Sequence, residues 1–154
     1  MDNICHTHEM RESNRISPLD RKINARIGQR RETRYAVLVN DMLDDFVHGN
    51  LRSNRALQIV LRLRALLDAA RAKDIPIFYC NDEHEISDPE IKIWGPHAIK
   101  FTPGSRVIHK LEPQPTDFMV SKRSYGSFEK LLRSIYEGQG ANTLIITGIR
   151  THLC

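Results

Sequence analysis

Four short apolar runs in this 154-residue chain are each followed by side chains that can do chemistry together: Asp41, then Asp82 with His84, then Lys122, then Cys154. A thiol titrates near about pKa 8.5 and becomes a nucleophile only beside a base or a positive charge. Asp41 can accept the proton of Cys154, and Lys122 can hold that carboxylate in place while stabilising the thiolate. Backbone N–H groups in the turn Gly148–Cys154 can hold the oxyanion of a tetrahedral intermediate. The outcome would be acyl transfer from an amide to cysteine, followed by hydrolysis. Taken singly, each residue has a plainer use. Asp41 can bind a turn, Lys122 can be a solvated strand end, and Cys154 can be a small buried apolar residue.

The elements that must position these groups are legible in the apolar pattern. Tyr35-Ala36-Val37-Leu38-Val39 reads as a buried parallel strand. Ser53 stands at the cap position of a helix over about 54–73, with Leu57, Val60, Leu61, Leu67 and Ala70 near helical spacing. Ile75–Cys80 reads as a second strand that places Pro76 at its start. Residues 81–116 form a long irregular stretch, a length that usually signals function or disorder, and its Trp and several potential ligands favour function. Asp117–Ser121 reads as the third strand. Phe128, Leu131, Leu132, Ile135 and Tyr136 give the stripe of a helix over 127–137, ended by Gly138 and Gly140. Thr143–Thr147 reads as the fourth strand. Strands alternating with amphipathic helices predict an α/β fold, a three-layer Rossmann-like parallel sheet with helices on both faces. Ligands gather beyond the carboxyl ends of such strands, where the four groups stand.

Composition narrows the partners. Hydrophobic residues make up 40% and charged residues 27%, as in globular domains. No apolar run is long enough to span a membrane. The net charge of +4 is concentrated at the start, where residues 1–34 hold eight Lys/Arg against five Asp/Glu. That distribution and the absence of aromatic residues for base stacking in residues 1–34 argue against nucleic acid as a partner. Residues 1–33 read as a flexible basic extension and 34–154 as the domain. Residues 1–20 lack a signal peptide's apolar core, and Cys5, Cys80 and Cys154 are odd in number and far apart, which fits free thiols in a cytoplasmic protein. Cys5-His6-Thr7-His8 has metal-binding residue types but sits in a segment with no geometry to hold a metal.

These residues resemble the isochorismatase-like cysteine hydrolases, which include nicotinamidases. The resemblance is carried by Val37-Leu38-Val39-Asn40-Asp41-Met42-Leu43-Asp44-Asp45-Phe46, Asn81-Asp82-Glu83-His84, Trp94-Gly95-Pro96-His97 and Thr102-Pro103-Gly104. It continues through Lys122-Arg123-Ser124-Tyr125-Gly126-Ser127-Phe128 and Thr147-Gly148-Ile149-Arg150-Thr151-His152-Leu153-Cys154. It implies an Asp41–Lys122–Cys154 triad and a cis peptide at Ile149–Arg150 that turns the N–H groups of Arg150 and Cys154 into an oxyanion hole. It implies a substrate pocket lined by Phe46, Trp94 and Tyr125, a small-molecule substrate and a homo-oligomer. In nicotinamidase-like members, residues matching Asp82, His84 and His97 bind a divalent metal. Two imidazoles and a carboxylate suit Zn²⁺ or Fe²⁺, yet their spacing serves loop hydrogen bonds equally well. The thiol chemistry itself requires no cofactor.

Departures from the family pattern shape the expectations. Phe101 stands where relatives usually have Gly, which would crowd the turn before Thr102. The order Tyr125-Gly126-Ser127-Phe128 also differs from the usual one. Relatives continue past the nucleophile with a helix that lowers the thiol pKa, whereas here a terminal carboxylate on Cys154 would raise it. The expectation is therefore a fold lacking its C-terminal part, with two functional alternatives. One is a hydrolase of a small C–N bond. The other is a catalytically impaired fragment acting as a binding or assembly subunit. Isochorismate itself is a poor substrate for this set, because enol-ether hydrolysis needs no nucleophilic thiol.

Overall fold

The computed structural model describes residues 32–49, 51–123, 131 and 133–149. Within them, β1 (Tyr35–Asn40), β2 (Ile77–Asp82), β3 (Phe118–Lys122) and β4 (Thr143–Gly148) form one sheet in the order β3-β2-β1-β4, every pair parallel. Three helices lie between the first three strands: α1 (Asp44–Val47), α2 (Asn54–Arg71) and α3 (Pro89–Trp94). Residues 124–130, Tyr125 among them, and residues 150–154, with Arg150 and Cys154, lie outside the described residues. So do residues 1–31, which hold Cys5-His6-Thr7-His8.

Period-two alternation of β1 explains the layers. Val37 and Val39 pack with Ile77 and Tyr79 against Val60, Leu63 and Leu67 of α2. Ala36 and Leu38 face the other way, packing with Phe78 and Cys80 against Leu131 and Ile135. Both faces of β1 and β2 are covered, which is why these runs are apolar throughout instead of alternating. The predicted parallel α/β architecture with helices on both faces is what forms. None of the described helices is long and apolar enough to cross a membrane.

Several local expectations are corrected. The buried face of α2 is Ala56, Val60, Leu63, Leu67 and Ala70, at alternating four- and three-residue steps. Leu57 and Leu61 are 48% and 73% exposed, each one residue, and so about 100°, off that face. Ser53 occupies the cap position without a side-chain cap hydrogen bond. The start of β2 moves to Ile77, and Pro76 contributes a carbonyl that accepts from Val37 N–H at 2.9 Å. The stretch 81–116 contains α3 and two 3₁₀ turns, Pro103–Ser105 and His109–Leu111. In the predicted helix over 127–137, the described part holds a π-helical turn, Ser134–Gly138. Leu131 and Ile135 are buried there, while Tyr136 is 45% exposed. Phe101 does not crowd its turn. It takes the left-handed backbone (φ 65) that explains a Gly in relatives, and its ring lies in solvent beneath Lys100.

Candidate active site

The register of the sheet builds the site. Asn40 pairs with Cys80 and Asp82 pairs with Lys122, so Asp41, Asp82 and Lys122 come together across the carboxyl ends of β1, β2 and β3. Asp41 follows β1 with φ 53, a left-handed backbone that Asp tolerates better than most residues. Its carboxylate is fully engaged. Oδ2 accepts from Lys122 Nζ at 2.8 Å and from Asn40 Nδ2 at 3.0 Å, and Oδ1 accepts from Asp82 N–H at 2.8 Å. Lys122 Nζ also donates to Asp82 Oδ1. Asp41 and Lys122 are both buried.

One ammonium therefore sits between two carboxylates in a water-poor environment. Burial raises the pKa of Asp41, Asp82 raises it further, and Lys122 opposes both without cancelling them. Burial would lower the pKa of Lys122, but the charges of Asp41 and Asp82 outweigh it and hold the ammonium above its ordinary value. A carboxylate with a raised pKa beside a permanent cation is suited to taking a proton and returning it.

Beside this cluster lies a second one. Ligand atoms of Asp82, His84 and His97 all fall within 4.8 Å of one another. The His84 ring is fully buried, with Nδ1 3.2 Å from Asp88 Oδ2. Its Nε2 is buried without a hydrogen-bond partner, 3.8 Å from Asp82 Oδ2 and 3.7 Å from Glu90 Oε2. His97 Nδ1 lies 2.7 Å from the Gly95 carbonyl, which only an Nδ1–H can satisfy. Both rings thus use Nδ1 for the protein and leave Nε2 as the ligand atom, the usual arrangement behind a metal-bound imidazole. The donor set fits a divalent cation.

Asn40, Asp45, Asp88 and Arg123, residues with no role assigned from sequence, turn out to hold these groups. Asp45 Oδ2 accepts from Ala98 N–H at 2.8 Å, next to His97, and its carboxylate fills the space a Cβ would need at Gly104. Phe46 is buried against the His97 ring at a centroid distance of 5.6 Å. Trp94 ends α3 half exposed. Asn40 ties the acid to the end of β4, since its Nδ2 also donates to the Ile149 carbonyl at 3.0 Å. Gly148 (φ 105) lies so close to Asn40 that a Cβ would overlap the Asn40 carbonyl oxygen. Ile149 is thereby fixed beside Asp41, and the Ile149–Arg150 bond runs out of the described residues. Asp88 sits four residues after His84, and Arg123 directly follows Lys122. Arg123 donates to both oxygens of Asp88, and its guanidinium holds the Asp88 carboxyl well below the usual carboxylate range.

Residues 35–154 match the family described as the Isochorismatase domain. The chain belongs to the isochorismatase family. Among curated proteins, it is 29% identical over 126 residues to "Enterobactin synthase component B" of Escherichia coli strain K12. That match covers 78% of this chain and 44% of the relative, so the chain spans less than half of that protein's length. Among solved structures, N-carbamoylsarcosine amidase from Thermoplasma acidophilum aligns with a TM-score of 0.70 at 34% identity, over 75% of this chain and 68% of that one. Pyrazinamidase of Pyrococcus horikoshii, solved in complex with zinc, aligns with a TM-score of 0.67 at 26% identity, over 78% of this chain and 73% of that one.

Proposed function

We propose that the protein is a cysteine hydrolase that cleaves a C–N bond of a small amide, with Cys154 as nucleophile, Asp41 as base and Lys122 as the cation that holds both. The observation that carries this reading is the buried Lys122 ammonium on Asp41 and Asp82 at the carboxyl ends of adjacent strands. The amidase and the pyrazinamidase among its structural relatives support the substrate class.

In this mechanism Asp41 takes the Cys154 proton and the thiolate attacks the amide carbonyl carbon. The N–H groups of Arg150 and Cys154 receive the resulting oxyanion. Collapse breaks the C–N bond, the proton held on Asp41 passes to the leaving nitrogen, and a thioacyl group stays on Cys154. Water, deprotonated by Asp41, then releases the acid and restores the thiol. Asp82, His84 and His97 would hold a divalent ion of the Zn²⁺ or Fe²⁺ kind, which supplies a Lewis-acidic position for a ring nitrogen or a water of the substrate pocket. Phe46, Trp94 and Tyr125 belong to that pocket in this reading, and the protein self-associates.

The test is ammonia release from a panel of small primary amides and ureido acids by the wild-type protein and by Cys154→Ala. The expected result is turnover by the wild type and its loss in the variant. A wild type that binds panel members without releasing ammonia would instead make it a binding subunit that keeps the fold without the chemistry.

A further inference from the structure

His84 is the most deeply buried group of the second cluster, and its two nitrogens face opposite demands. Nδ1 meets a carboxylate oxygen of Asp88 at 3.2 Å, and a carboxylate can only accept. Nδ1 must therefore carry the proton. Nε2 is buried without a hydrogen-bond partner and faces the carboxylates of Asp82 and Glu90 at 3.8 and 3.7 Å. A ring nitrogen turned toward two carboxylates calls for positive charge between them, a second proton in the metal-free protein or a metal ion when one binds.

We propose that Asp88, locked by Arg123, is the positioning residue that presents His84 Nε2 as a metal ligand. The inference rests on the metal reading given above and assigns what makes that site ready before the ion arrives. Asp88 is well built for the task. Besides His84 it accepts the Glu85 N–H at 3.0 Å, and Arg123 grips both of its oxygens. Arg123 also reaches Glu85 Oε1 at 3.3 Å. With every oxygen engaged, the carboxylate cannot turn away from the ring. Arg123 follows Lys122 on the same strand end, so one short segment of β3 places the ammonium on Asp41 and the guanidinium on Asp88. The ligand cluster and the acid–ammonium cluster are set by a common support.

The test uses Zn²⁺ as the probe. Its affinity is measured by competition with a chromophoric chelator, in a background of Cys5→Ser, His6→Ala and His8→Ala that removes the N-terminal donors. Loss of an outer-shell partner typically weakens metal binding about 10–100-fold, and Asp88→Ala is expected to fall in that range. Asp88→Asn keeps an accepting oxygen and should lose less, while Arg123→Ala, with Asp88 intact, should give a partial loss. Long-range ¹⁵N–¹H spectra of the metal-free protein supply the second readout. They should show His84 protonated at Nδ1 in the wild type and mixed between tautomers in Asp88→Ala. A wild type that binds no Zn²⁺ overturns the metal reading. A wild type that binds Zn²⁺ with Asp88→Ala binding equally well, or His84 protonated at Nε2 and not at Nδ1, overturns the positioning role alone.

Discussion

The two ends of the sheet each hold an ion cluster, and they treat charge differently. At the amino end, Arg71 from α2 meets Asp117 at 2.5 Å, with the Tyr79 hydroxyl beside it donating to the Leu111 carbonyl at 2.7 Å. There the partly buried guanidinium pairs with Asp117 and lies 3.7 Å from the exposed Asp68, its Nε buried without a partner, and the bonds tie a helix end to the segment entering β3. At the carboxyl end, one buried ammonium serves two carboxylates, and the buried Nε2 of His84 nearby lacks a partner. A cation given its own carboxylates at the edge of solvent fastens a fold, whereas one buried cation shared by two buried carboxylates leaves a place for a proton. The same strands therefore carry a fastener at one end and, in the function proposed here, the reactive groups at the other.

Breaking each cluster should separate the two roles. Lys122→Met leaves Asp41 and Asp82 buried without their cation, and removal of one partner from a buried pair costs about 3–5 kcal/mol. Urea denaturation should show that loss, and amide turnover should vanish with it. Arg71→Met should lower stability by a similar mechanism while the residual folded protein keeps its turnover per molecule, which would confirm that the amino-end cluster takes no part in chemistry.

Next in size is the packing that supports the carboxyl end. Leu67→Ala empties a fully buried position against β1 and β2, at about 2–5 kcal/mol. Leu61→Ala, on the exposed side of the same helix, should stay within about 0.5 kcal/mol in denaturant melts of the isolated protein. Equal effects would mean the buried face of α2 is misassigned.

Smallest is the Tyr79 hydroxyl. Burial pushes its pKa up from 10.0 to about 12. A pKa higher in the folded state means the folded protein holds that proton more tightly, so the associated stability is full below pH 10 and is lost as pH rises toward about 12. Tyr79→Phe should cost about 1 kcal/mol at neutral pH through its lost hydrogen bond, and its stability should fall less than the wild type's over that alkaline window. Thermal melts at pH 8 and pH 11 read both effects.

Much of the carboxyl-end site was readable from sequence because apolar runs announce strands and the residues after them announce the rim. Asp41 and Lys122 were legible on that ground, and their direct contact is what the parallel register delivers. The sharing of Lys122 with Asp82 was not legible, since it depends on the pairing of Asp82 with Lys122 across β2 and β3. Asp88 and Arg123 escaped for a related reason. A single carboxylate in an irregular loop carries no periodic signal, and its meaning appears only when a strand 35 residues further on brings an arginine to it. The face of α2 was blurred because Leu57 and Leu61 are as apolar as the residues that are buried, so composition cannot choose between two neighbouring stripes.

Covalent chemistry at Cys154, supported by the Asp41–Lys122 pair, leaves a signature that acid-quench mass spectrometry can read. The protein is mixed with the amide it turns over fastest, quenched within one turnover and digested. A thioacyl mass increment is expected on the peptide that contains Cys154. Turnover with no increment there, or with the increment on Cys5 or Cys80, would contradict it.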